Sequence, residues 1–167
     1  TGDTKATGVF GPPGNDGFAG VVSTNDLPVA FGKSGTKGWL ARIGTDVKLA
    51  VDTYQIAPSY AVQWRAGAVA SKGATNLYVV GIATDYANVP HATIGGYDAK
   101  TLDQSWLVVH KTANVQANGV VVTAGGITVV GVRNAATTAT GWIARYSAGG
   151  TLIKEAEREI ALLLEED

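Results

Sequence analysis

Three segments of this chain read as nearly the same sentence: "GVVSTNDLPVAFG" (Gly20 to Gly32), "GAVASKGATNLYVVG" (Gly67 to Gly81) and "GVVVTAGGITVVG" (Gly119 to Gly131). Each is a short β-branched run, a polar turn and a second apolar run closed by glycine, the pattern of a β-hairpin. The closing glycines Gly32, Gly81 and Gly131 lie 49 and 50 residues apart. A repeat of that period constrains the fold more than any other feature here, because each unit must bury its apolar faces against its neighbours.

A second element keeps the same period. "GWLARIGTDVKL" (Gly38 to Leu49) is answered by "GWIARYSAGGTL" (Gly141 to Leu152), while the middle copy, "TIGGYDAKTL" (Thr93 to Leu102), keeps Ile, Tyr and Leu but lacks the Trp and the Arg. A further apolar run follows each time: "KLAVDTYQI", "LDQSWLVV" and "TLIKEA". Every unit is therefore expected to be four short strands in an antiparallel meander. The expectation for the 167 residues is one all-β domain of three four-stranded repeats, about 17–66, 67–116 and 117–153. Composition agrees: charged residues are only 16%, Gly numbers 22, and Val, Thr and Ala recur throughout.

The tail "IKEAEREIALLLEED" (Ile153 to Asp167) is read on a different period. Ala156, Ile160, Leu163 and Leu164 fall on one helical face and Glu155, Glu159 and Glu166 away from it, which predicts a short amphipathic helix over about 154–166. Ile160, Leu163 and Leu164 are the candidate oligomer contacts, since an exposed apolar helix face calls for a partner.

The segments "FGPPGND" (Phe10 to Asp16), "NLYVVG" (Asn76 to Gly81) and "WIARYSAGGTL" (Trp142 to Leu152) resemble the bacterial and archaeal β-propeller repeats known as seven-bladed propeller repeats. The resemblance spans most of residues 5 to 154 and implies propeller blades, with "TGVF" (Thr7 to Phe10) as the outer strand of a preceding blade. Closed propellers have roughly 4 to 8 blades, so three units do not close a ring alone. Two chains completing a ring, a longer chain, or a β-trefoil or β-prism built from three four-stranded units are the alternatives.

Candidates for chemistry are few. There is no Cys, hence no disulfide and no Cys-ligated zinc, and His91 and His110 have no partner at metal-ligand spacing. No G-x-S-x-G elbow occurs, and the glycine-rich turns lack the helix and Lys of a phosphate cradle. Asp16, Asp26, Asp46, Asp85 and Asp98 read as turn residues that bond their own backbone; Asn15 and Asp16 lack the acidic ladder of a calcium loop. The one enzymatic alternative with a named nucleophile is an N-terminal threonine hydrolase using Thr1. A ligand site is expected, if anywhere, at the repeated pairs Trp39 with Arg42 and Trp142 with Arg145, where indole faces stack on a sugar and guanidinium groups bind its hydroxyls. Residues three apart on a strand point to opposite faces, which tells against a shared pocket.

A net charge of −1 with scattered basic residues argues against nucleic acid as a partner, and no apolar run reaches the roughly 20 residues of a membrane helix. The reading is therefore a non-enzymatic structural or assembly module, homo-oligomeric and extracellular or at the cell surface, needing no metal or cofactor. A lectin-like, glycan-binding module is the alternative.

Overall fold

The computed structural model describes residues 17–24, 28–43, 49–54, 61–70, 76–135 and 138–159. All its regular structure is β: β1 (Gly17–Val22), β2 (Val29–Ser34), β3 (Lys37–Ile43), β4 (Leu49–Tyr54), β5 (Ala61–Val69), β6 (Asn76–Thr84), β7 (Pro90–Asp98), β8 (Gln104–Val109), β9 (Val115–Thr123), β10 (Gly126–Ala135), β11 (Thr138–Tyr146) and β12 (Leu152–Glu159). They form three four-stranded sheets in the orders β1-β2-β3-β4, β5-β6-β7-β8 and β9-β10-β11-β12, every pair antiparallel. The recurring glycine-closed segment is the first hairpin of each sheet. The repeat boundary expected at 66/67 falls inside β5, and the third sheet begins at Val115.

Short connections are settled by side chains suited to turns. Asp85 Oδ1 accepts the backbone N–H groups of Ala87 and Val89, each at 2.9 Å, and Asp98 Oδ1 accepts those of Lys100 and Thr101 at 2.7 and 2.9 Å. These are the self-bonding Asx turns expected at both positions.

The return of glycine at positions 32, 81 and 131 has a steric cause. The first strand of each sheet carries a bulge, between Phe18 and Gly20, Trp64 and Ala66, and, on the β9 side of the Val130/Gly131 shift, between Ala117 and Gly119. Opposite lie Gly32, Gly81 and Gly131, where an added Cβ would sit 1.9 Å from the carbonyl oxygens of Gly17, Gln63 and Gln116. Only glycine lets the bulged backbone approach that closely.

Aligning the sheets on these glycines makes Phe31, Val80 and Val130 equivalent, and likewise their cross-strand partners Leu40, Ile94 and Ile143. On the opposite face Val21, Gly67 and Val120 correspond, set against Ala30, Val79 and Val129. Packing repeats with the register. Val29, Phe31 and Leu40 of the first sheet meet Val62, Trp64, Leu77 and Val79 of the second; Tyr78, Val80 and Ile94 on the second sheet's other face meet Val115, Ala117, Val129 and Trp142 of the third. The second sheet is thus apolar on both faces, so its strands β6 and β7 are continuous buried runs rather than alternating ones. The first strands carry these junctions: β5 packs on β1, β2 and β3, and β9 on β5, β6 and β7.

The tail differs from its expected helix. Residues 152–159 form β12, whose Glu155 and Glu157 pair with Ala144 and Trp142 of β11. The open N–H and C=O groups of β11 offer ladder bonds that an amphipathic helix would leave unmade. The sequence had carried a period-two signal as well, with acids at 155, 157 and 159 alternating with Lys154, Ala156 and Arg158. Ile160, Leu163 and Leu164, with the rest of the predicted helix, lie outside the described residues. So do "TGVF", Thr1, Asn15, Asp16, Asp26 and Asp46.

Candidate functional site

Neither Trp/Arg pair is brought together as a pocket. Trp142 faces Gly131 across the ladder and is only 2% exposed, packed between the second and third sheets. Arg145, three residues on, is on the other face and spans back to the β9–β10 turn, where Nε and Nη2 donate to the Gly125 carbonyl at 3.2 and 2.7 Å. Trp39 is the first sheet's counterpart, 8% exposed, with the Phe18 ring edge-on at 4.9 Å. Arg42 pairs with Val29 and is half-buried. Alternation along β3 and β11 therefore sends Trp and Arg to opposite faces, and packing covers the indole surfaces that would stack on a sugar ring.

In the middle sheet Thr93 and Gly96 stand where the outer sheets have Trp and Arg. The reason for Gly96 is Trp106 of β8: an added Cβ on Gly96 would come within 2.5 Å of that ring. Trp106 extends onto the third sheet, donating from Nε1 to the Ala148 carbonyl at 3.0 Å and lying over Gly150, whose φ of +83° keeps the β11–β12 turn clear of the ring.

What the fold does assemble is a histidine–carboxylate cluster at the same junction. His110, following β8, is buried, and its ring stands edge-on to Trp142 at 5.2 Å. Its Nδ1 accepts the Thr112 backbone N–H at 3.2 Å, so the ring hydrogen resides on Nε2, which donates to Glu155 Oε2 at 3.0 Å. The same Glu155 oxygen accepts Trp142 Nε1 at 3.1 Å. Glu155 belongs to β12, the strand that was expected to be helical. Beside this cluster His91 bonds through Nδ1 to the His110 carbonyl at 3.1 Å, while its Nε2 lies 3.5 Å from Asp85 Oδ2. Asp85 is held below the usual carboxylate range, chiefly by the Val89 N–H, then by Ala87 and His91, against an opposing desolvation effect. Tyr146 lies in the same core; burial first, and Glu155's charge second, push its phenol well above its ordinary pKa.

Chemically this is a clamp. One carboxylate oxygen receives two N–H donors from two different sheets, and charge-assisted bonds of this kind are the stronger class. Among the described residues no group of three or more His, Asp or Glu is arranged to hold a metal ion. A second polar bridge joins the same sheets at the bulges: Arg65 Nη1 donates to Gln116 Oε1 at 3.1 Å and to Asn118 Oδ1 at 2.5 Å. In the sequence His110 stands isolated because Glu155 and Trp142 lie far along the chain, while Asp85, near His91, reads there only as a turn residue. The available signal was the acid alternation of β12 together with a Trp142 indole in need of an acceptor.

Comparison with known protein families finds none that matches this chain, and comparison with curated proteins finds none recognisably similar.

Proposed function

We propose that the chain is a non-enzymatic structural module whose three sheets act as propeller-like blades and whose task is assembly with further copies of itself. The observation that carries this reading is the repeated junction: the face holding Phe31 and Leu40 is covered by the second sheet, the face holding Val80 and Ile94 by the third, and the equivalent face of the third sheet is open, with Val130 and Ile143 exposed. The first strands β5 and β9 carry the main packing between neighbouring sheets, in keeping with the stacked blades of a propeller. The histidine–carboxylate cluster serves this role as a brace between blades. The low charge and the Ala-, Thr- and Gly-rich composition support a place outside the cell or at its surface.

Light scattering on the full chain at tens of micromolar tests the reading. Particles of defined multiple mass, or a polymer, are the expected result; a monomer across the whole concentration range would defeat it.

A further inference from the structure

The last sheet's open face continues a junction the chain has already built twice. On it Val121, Val130 and Ile143 are 57%, 47% and 44% exposed. Val130 and Ile143 are directly opposite on β10 and β11, and Val121 lies on the same face through its partner Thr128. Their counterparts are covered: Leu40 and Ile94 are both 0% exposed, Phe31 and Val80 are buried, and Val22 is packed into the first junction. Three adjacent branched side chains in the position of a junction core form an apolar patch of the kind that marks a docking surface.

The other end of the stack presents the matching half. On the first sheet, Phe18 and Val21 are 64% and 63% exposed. They lie on the face that, in the second and third sheets, packs on the preceding unit: Phe18 corresponds to Trp64 and Ala117, Val21 to Gly67 and Val120. The internal junctions also specify the contact. A Cβ on Gly67 would lie 3.0 Å from the Phe31 ring, and Val120 packs against the cluster that contains Val80. Carried across to two molecules, Val21 of one copy meets Val130 of the next.

From this, and resting on the assembly reading above, we infer that the Val121–Val130–Ile143 face docks the first sheet of a second copy, head to tail, with Val21 seated on Val130. Such an interface is heterologous: it closes into a ring when the rotation per copy fits and grows into a filament when it does not. Because the two surfaces differ, neither pairs with itself.

Two experiments test it on the full chain. The absence of Cys makes disulfide trapping clean. Under mild oxidation, an equimolar mixture of V21C and V130C chains gives a covalent heterodimer, while each variant alone stays uncross-linked. Covalent V130C homodimers would show face-to-face pairing and overturn the inference, as would a mixture that fails to cross-link although the wild type assembles. Separately, V130E combined with I143E weakens assembly at least about a hundredfold, because charge is driven into an apolar contact, while leaving the circular dichroism of the monomer unchanged. Undiminished assembly of that folded variant overturns the inference but leaves the assembly reading intact, with another surface responsible. A monomeric wild type removes both. Should the double variant misfold, the cysteine pair alone decides.

Discussion

The two junctions between the sheets are built on one plan but differ in how many side-chain hydrogen bonds cross them. The first, around Phe31, Leu40, Trp64 and Leu77, is an apolar cluster in which Trp64 is fully buried and its indole N–H has no hydrogen-bond partner among the described residues, with one backbone bond beside it from the Val62 N–H to the Thr36 carbonyl at 2.8 Å. The second has an equally apolar centre at Val80, Ile94, Val129 and Trp142, but the Trp142 N–H, His110 and Glu155 share a bond network across it, with Arg65 and Trp106 making further polar bridges. Hydrophobic burial is non-directional and tolerates small sliding; hydrogen bonds fix one register. The comparison teaches that a repeat scaffold can reuse the same stacking geometry while concentrating side-chain hydrogen bonds at one joint.

The largest expected effect tests what the junctions have in common. Gly81→Ala and Gly131→Ala each force a methyl into a carbonyl 1.9 Å away, at equivalent bulges. Each is expected to cost about 3 kcal/mol or more, at the upper end for overpacking, and equilibrium urea unfolding should show similar losses. A tolerated alanine at either position would show that the bulge is not part of the repeat's design.

A smaller effect separates the junctions. Trp64→Phe and Trp142→Phe remove similar volume, but only the second abolishes a bond to a carboxylate. Trp142→Phe should therefore be the more destabilising by about 1–2 kcal/mol in the same unfolding assay. Equal losses would mean that the Glu155 contact contributes nothing net.

Glu155→Ala should cost about 1–2 kcal/mol, since the His110 and Trp142 donors lose their acceptor at a site that water partly reaches. Hydrogen exchange should accelerate in β11 and β12 and stay unchanged in β2 and β3. Glu155→Gln, which keeps an acceptor oxygen, should recover part of the loss.

The smallest effect concerns pH and the Asp85 turn. Its folded pKa is lowered relative to the unfolded chain, so its contribution is present above the ordinary carboxylate range and is lost as pH falls through the folded value. Asp85→Asn should flatten the acid limb of the stability curve without altering the neutral plateau's shape. Tyr146 acts at the other extreme: its raised pKa means that its contribution is complete below about pH 10 and declines above it.

Much of this was legible in residue order. The glycine-closed hairpins, the "WLARI" and "WIARY" strands and the Asx turns at Asp85 and Asp98 all rest on local chemistry, where neighbouring residues decide the outcome. The tail was misread because residues 154–159 satisfy two periods at once, and a helix makes its own hydrogen bonds whereas a strand depends on a partner that the tail itself does not contain. The clamp was illegible for a related reason: His110, Trp142 and Glu155 come from the end of one sheet and two strands of another.

Order along the chain thus determined the strands, their turns and the period at which they repeat, because a bulge facing a glycine and a carboxylate capping its own turn are short-range events. Tertiary structure decided which equivalent faces are covered and which are open, that the tail's first part completes a sheet, and that two sheets share one carboxylate. Burial and long-range hydrogen bonding depend on what lies across the gap, and that is known only when the sheets have stacked.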